Sequence, residues 1–322
     1  MATPDFSTFT SRLHFRGNLL FTSAMRIGAE KSQAVDAPDT PVLRDATGMP
    51  YIPGSSFKGA LRSYVEAVAR TLQAQAGLSD RNLACLAVGK SSKRLPEPDP
   101  VCLCQDEVTL LKNTSPNVWH TAGKLPPILA QRLPAAPAIQ ALVQAQGDAA
   151  AVDWVLRDLS CWTCRLFGAQ WLASKVLIKD LYIDETTFLR TEIRDGVGIE
   201  RDAGRAADGI KYRFEAVPVG TAFRLELLAE NATEAELGLL WLGLQAFIRG
   251  EILLGGGKSR GLGWCRLIPD WDNSHYTDAS NLLELLLPEV PSVTQTTLAN
   301  RPATWLAAFA QAIGAVQEGN HA

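Results

Sequence analysis

Apolar and polar positions alternate near the start of the chain. Leu13 and Phe15 are interleaved with His14 and Arg16, and Leu19 and Phe21 continue the period of two. That period predicts a half-buried strand region over 11–27. Residues 28–48 break it with Gly28, Pro38, Pro41 and Gly48, and read as a long functional loop. Pro53-Gly54-Ser55-Ser56 then opens a helix. Phe57, Leu61, Tyr64, Val65, Val68 and Leu72 fall on one face of it, with Lys58, Arg62, Glu66 and Arg70 on another. Residues 78–150 lose this order. The basic run Lys90–Arg94, the prolines from Pro96 to Pro100 and an Ala/Gln-rich stretch mark an insertion, partly helical after Pro127.

Strand patterns return at 174–184 and 222–229. Between them, Arg190–Arg213 is rich in Gly, Asp and Arg and poor in apolar residues, as in an extended hairpin or arm. Thr233 and Glu236 have capping-box spacing ahead of an apolar helix, Leu237–Ile248, closed by Gly250. A glycine-rich loop, Gly255–Gly263, leads into a short strand at Trp264–Ile268. Trp305, Phe309, Ile313 and Val316 predict an amphipathic terminal helix. Strands and helices without regular βαβ repetition give an α+β fold class.

Composition narrows the function classes. With 47% hydrophobic residues in 322, the chain can bury a real core, and 20% charged residues argue against broad disorder. Nucleic-acid binders are commonly basic overall, whereas this chain has a net charge of -3. Any RNA contact therefore has to come from local basic clusters. The segment MATPDFSTFTSRLHF lacks a basic region followed by an apolar run, and no stretch approaches about 18 apolar residues. A cytoplasmic setting without a membrane partner is expected. Six cysteines in such a compartment suit thiols or metal ligands better than disulfides.

Three segments carry candidate chemistry. In Gly54–Arg62 (GSSFKGALR), Ser55 or Ser56 can cap the helix and leave N–H groups for an anion, with Lys58 and Arg62 on one face. An ordinary capped helix with solvated charges has the same pattern. In Gly255–Trp264 (GGGKSRGLGW), Gly256 and Gly257 allow close backbone approach, and Lys258 and Arg260 add charge. The loop equally suits a tight helix-to-strand connection. It is not a P-loop, because Ile252 stands where that motif needs its first glycine. Cys161 and Cys164 form a CxxC, and Cys102 and Cys104 a CxC. Four thiolates suit a closed structural Zn2+ site, with Cys85 and His120 as alternative ligands and Cys265 packed in a strand. The second cysteine pair disfavours a redox CxxC.

GSSFKGALR and GGGKSRGLGW, in that order, resemble the RAMP superfamily. The first is similar to its backbone-forming branch in type III CRISPR effector complexes, and the resemblance covers 11–268. It implies one domain over 1–270: a ferredoxin-like or RRM-like palm, a finger-like insertion at 78–165, a thumb hairpin at 190–215, and the glycine-rich loop with its last strand at 250–268. Residues 271–322 are then a C-terminal extension with a terminal helix. CWTCRLFG (161–168) resembles the family's zinc-bearing stretch. Asp195–Asp202 and Gly209–Phe214 look like the thumb, which puts Arg201 and Lys211 among the RNA-binding residues. The implied partners are guide RNA (crRNA), target RNA and other CRISPR effector subunits.

Asp36–Asp45 looks like the loop in which RNA-cutting members carry an essential aspartate two residues before a Pro-Val pair. The carry-over falls on Asp39, with Asp36 next in register. Cleavage by the adjacent 2′-hydroxyl needs a base, or Mg2+ or another divalent ion that a carboxylate positions. Without the resemblance, Asp36, Asp39 and Asp45 read as turn residues beside Pro and Gly. The resemblance leaves three functions: a cutting backbone subunit, a non-catalytic RNA-binding one, and a guide-processing nuclease. The last is disfavoured because no histidine is near the glycine-rich loop in sequence.

Overall fold

In the computed structural model, residues 8–28, 40–75, 83–85, 102–103, 105–200, 205–280, 282 and 298–318 are described. The chain begins with β1 (Ser11–Phe21), β2 (Tyr51–Ile52) and α1 (Gly54–Gln75). A helical stretch follows: α2 (Gln105–Asn113), α3 (Pro127–Arg132), α4 (Ala136–Gln146), α5 (Asp148–Asp158) and α6 (Trp162–Phe167). Next come β3 (Val176–Ile178), β4 (Leu181–Ile183), β5 (Glu192–Glu200), β6 (Arg205–Ala216) and β7 (Ala222–Glu230). The chain closes with α7 (Glu234–Arg249), β8 (Cys265–Pro269), β9 (His275–Asp278) and α8 (Arg301–Glu318). The fold is α+β.

The main sheet runs β2-β4-β7-β1-β8, with β3 also on β7 and β9 also on β1. Its hydrogen-bonded strand pairs are antiparallel. Alternation along β1 places Leu13, Phe15, Leu19 and Phe21 on the face covered by α1 and α7. Register fixes the layer, because Phe15 sits opposite Leu227 and Leu19 opposite Phe223, and all four are buried. The two helices meet where Phe57 stacks on Phe247, with ring centroids 4.5 Å apart. Gly243 permits that approach, since a Cβ there would lie 2.4 Å from Leu61 Cδ1. The other face of the sheet carries ion pairs. Glu226 pairs with Lys179 at 2.8 Å and hydrogen-bonds His14 Nε2 at 2.8 Å.

Along the chain the main sheet and the helices α1 and α7 run β1-β2-α1-β3-β4-β7-α7-β8-β9, interrupted between α1 and β3 by a helical insertion. The insertion has its own core, built from Leu111, Trp119, Leu129, Val155 and Leu156 among others. The capping box is present, with Glu236 N donating to Thr233 Oγ1 at 3.2 Å and Thr233 N to Glu236 Oε2 at 2.9 Å. Gly250 ends α7 in the left-handed region, as its position after Ile248 implied. α8 packs on α7, with Trp305 and Phe309 buried. Gly238 makes room for it, because a Cβ would lie 2.1 Å from the Trp305 carbonyl oxygen.

Three expectations change. The strand expected over 174–184 is two strands, β3 and β4, broken at Lys179-Asp180 where the chain meets the start of α1. Helix in the insertion begins at Gln105, well before Pro127. β9 was not read from the pattern at all; it pairs with Ser11–His14 of β1. Replacing Phe57 with Ala should remove about 3–5 kcal/mol of stability, the usual cost of deleting a buried aromatic ring. Urea unfolding of the purified chain measures it.

Candidate nucleic-acid interface and metal centre

Helix α1 starts hard against the sheet. A Cβ on Gly54 would lie 2.4 Å from the Ile178 carbonyl oxygen, so only glycine fits. The Gly54 N–H donates to Asp180 Oδ1 at 2.8 Å, so this acceptor comes from the β3–β4 turn. Ser56 N and Phe57 N both reach the Pro53 carbonyl. The N–H groups expected to be open to an anion are thus largely engaged, and the capping role expected of Ser55 or Ser56 falls to Asp180.

Ser55 and Ser56 instead line a groove of about 670 Å3 with Gly59, Ser63, Gly256 and Lys258. Its opposite wall is the glycine-rich loop. Gly255 has φ +84° and presses on the Arg26 carbonyl, which accepts from Gly256 N at 2.8 Å. Lys258–Arg260 form one 3-10 turn between Gly257 and Gly261, both left-handed, so both cations stand exposed. A helix precedes this loop and a strand follows it, the reverse of a P-loop. Arg260 Nη1 hydrogen-bonds the Tyr212 hydroxyl on β6. The β5–β6 hairpin is therefore tied to the loop, and Gly196 leaves the space its Tyr212 ring occupies.

Lys58 and Arg62 do not enter the groove. Lys58 Nζ donates to Ser174 Oγ at 2.7 Å and to the Val176 carbonyl at 2.9 Å. Burial lowers its pKa, and the nearby Arg62 charge adds to that. Arg62 donates to Glu66 at 2.7 Å and to the Gly168 carbonyl at 2.9 Å. The charged row on α1 thus turns toward the insertion, and both cations have protein partners. Ser55, Ser56, Gly256 and Lys258 are brought together; Gly257 and Arg260 belong to the same loop. Lys211 lies on β6, while Arg201 falls outside the described residues.

Asp36 and Asp39 also lie outside the described residues. The flanks of their segment are placed: Gly28 lines the groove and bridges Val42, and Thr40 bridges Phe214 at the base of β6. Asp45 is a turn residue, its Oδ1 accepting from Thr47 N at 2.9 Å and Met49 N at 3.0 Å.

Four buried cysteines, Cys85, Cys102, Cys161 and Cys164, have their sulfurs within 4.8 Å of one another. Cys85 and Cys164 Sγ are 3.6 Å apart, close to the roughly 3.8 Å edge of a tetrahedron with Zn–S of about 2.3 Å. All four donors are thiols, so the set fits a closed site for a metal such as zinc and leaves no position for a substrate. Cys161 has a strongly lowered pKa because Cys102, Cys164 and Cys85 donate to its sulfur. Three of the four expected ligands are present; the fourth is Cys85, and Cys104 lies outside the described residues. His120 bonds the Pro134 carbonyl at 3.0 Å. Cys265 is packed in β8, and burial pushes its thiol up to about 12.

A family model described as the RAMP superfamily matches residues 8–266. Over 52 residues the chain is 44% identical to the CRISPR system Cms endoribonuclease Csm3 of Methanothermobacter thermautotrophicus. That stretch is 16% of this chain and 21% of that protein, so the chain spans about a fifth of the relative it matches.

Sequence reasoning missed Glu215, which fastens the hairpin to the loop exit. Its carboxylate accepts from Val42 N at 2.9 Å, Thr191 Oγ1 at 2.5 Å and the Arg44 guanidinium. Burial alone would raise its pKa, but Thr191, Val42 and Arg44 together hold it below the ordinary 4.5. A lowered carboxyl contributes stability that is full above 4.5 and lost as pH falls through the folded value. Glu215→Gln should therefore lower Tm at pH 7 and flatten its fall on acidification. Thermal melts from pH 7 down to about pH 3 test this.

Proposed function

The chain belongs to the RAMP superfamily, and on that premise we propose that it is a guide-RNA-binding backbone subunit of a type III CRISPR effector complex that cuts guide-paired target RNA. The observation that supports this reading is the groove between α1 and the glycine-rich loop, a loop to which Arg260 ties the β5–β6 hairpin through Tyr212. In this reading the main sheet and its helices are the ferredoxin-like palm, the helical insertion is the finger, and the hairpin is the thumb. RNA phosphates lie along the groove against the Ser55 and Ser56 hydroxyls, the backbone of Gly256 and Gly257, and the cations Lys258 and Arg260. Arg201 and Lys211 extend the contact along the thumb. Such contacts read backbone shape, so sequence choice comes from guide–target pairing. Other effector subunits continue the path, and the cytoplasm is the expected setting.

Cutting is assigned to Asp39, with Asp36 next in register. Asp39 directly precedes Thr40, which bridges Phe214 of β6. Its carboxylate takes the proton of the 2′-hydroxyl or helps hold Mg2+ or another divalent ion. The relative's printed name, an endoribonuclease, supports this assignment. The four-cysteine cluster takes Zn2+, which is structural and fixes the ends of the insertion. Among the described histidines, His14 and His275 meet edge-to-face, ring centroids 4.9 Å apart, on the open face of the sheet, near the other end of β1 from the glycine-rich loop. That placement speaks against a histidine-dependent guide-processing nuclease.

Incubating the assembled complex with guide-complementary RNA tests the chemistry. Wild type should cut, and Asp39→Ala should bind equally but cut about 10²- to 10⁴-fold more slowly. Binding without cutting by wild type selects the non-catalytic backbone subunit. Undiminished cutting by Asp39→Ala moves the chemistry to Asp36 or another subunit. Separately, Lys258→Ala should weaken RNA binding for all sequences and reduce its salt slope by about one, as loss of a phosphate contact does. Lys58→Ala should leave that slope unchanged.

A further inference from the structure

Arg62, Glu66 and Arg70 stand at successive i, i+4 positions on α1 and therefore share a face. Glu66 is buried and joins the two cations, lying 2.7 Å from Arg62 Nε and 3.9 Å from Arg70 Nη1. Each arginine then reaches a segment that carries a cysteine of the metal cluster. Arg62 Nη2 donates to Cys164 Sγ at 3.7 Å, while its Nη1 donates to the Gly168 carbonyl at 2.9 Å. Gly168 caps α6, the helix that carries Cys164, and its N–H returns to the Cys164 carbonyl at 2.9 Å. Arg70 Nη1 donates to the carbonyl of Cys85 at 3.1 Å.

We propose that Arg62, oriented by Glu66, is a positioning residue for the metal centre, and that Arg70 holds the Cys85 corner of the same centre. The proposal rests on the metal reading given above. Its physical basis is charge. A divalent ion on four thiolates leaves two negative charges uncompensated in a buried site. An N–H···S contact from a guanidinium, which stays protonated at any working pH, offsets that charge where it is densest. The planar fork is required because one group must reach both a sulfur and a carbonyl. Lys58, on the same side of α1, reaches no sulfur; it donates to Ser174 Oγ and the Val176 carbonyl.

The test uses the full chain loaded with Zn2+ or with Co2+ as a spectroscopic probe. Competition against a chromophoric chelator should show metal held about 10–100-fold more weakly in Arg62→Met, the usual effect of losing a partner behind a ligand. Glu66→Gln and Arg62→Lys should shift in the same direction by less. In the Co2+ form of Arg62→Met, the sulfur-to-cobalt charge-transfer band should move to lower energy, because the thiolate has lost its donor. Lys58→Ala should move neither readout. Should Arg62→Met not fold, Arg62→Lys and Glu66→Gln decide. Metal affinity within about twofold of wild type, with an unmoved band, in the folded Arg62 variants overturns the proposal while leaving the metal reading intact. A wild-type chain that takes up neither ion overturns the metal reading and the clamp together.

Discussion

The contact between Gly54 and the carbonyls of Ile178 and Lys179 sets the position of α1, and the surroundings of the groove depend on α1. A side chain at residue 54 would push the helix off the sheet. With it in place, Asp180 caps the first turn and opposes the positive end of the helix dipole. Three faces then have fixed neighbours. Phe57, Leu61 and Val65 meet the sheet and α7; Ser55, Ser56, Gly59 and Ser63 look into the groove; and Lys58, Arg62 and Arg70 hold the insertion and its return. Small residues on the groove face keep it open, and long charged ones on the third face span a wider gap.

The cysteine cluster solves a different problem. The insertion has a core separate from the main one, and its two ends must return to the same place. Cys85 and Cys102 lie on the way in, and Cys161 and Cys164 on the way out. Joining them closes the loop at its root, so the entropic cost of closure falls on one small cluster rather than on packing along the whole insertion. Trp171 packs against the cysteine cluster and also against the insertion core, so the two are physically continuous.

Local patterns in the sequence were enough to locate β1, α1, α7, β8 and α8, because each carries its own periodicity or cap. Thr233, Glu236 and Gly250 state both ends of α7 within the helix itself. Features that depend on distant partners were not legible. Nothing around Asp180 marks it as the cap of a helix more than a hundred residues earlier, and Glu215 resembles any strand carboxylate until Val42 and Arg44 are placed beside it. The partners of Lys58 and Arg62 were hidden for the same reason: spacing shows which residues share a helix face, and only packing shows what that face meets. Cys85 was legible as an alternative ligand but could not be chosen over Cys104 from spacing alone.

For the proposed RNA-binding role, the inward turn of the α1 cations changes how an acidic chain would hold RNA. With Lys58 and Arg62 engaged by protein, the described groove keeps Lys258, with Arg260 beside it, and faces Glu251 at one end. So few cations release few counterions, and the electrostatic part of the affinity of one copy is small. Hydroxyl and backbone donors can orient a phosphate without adding net charge, which suits a site that positions RNA more than it attracts it. In the proposed role, tight holding of a long guide has to come from several sites engaged on one strand, where each bound site raises the effective concentration at the next. A net charge of -3 is compatible with that arrangement, because an acidic exterior limits capture of stray nucleic acid by single copies while leaving the groove itself weakly cationic.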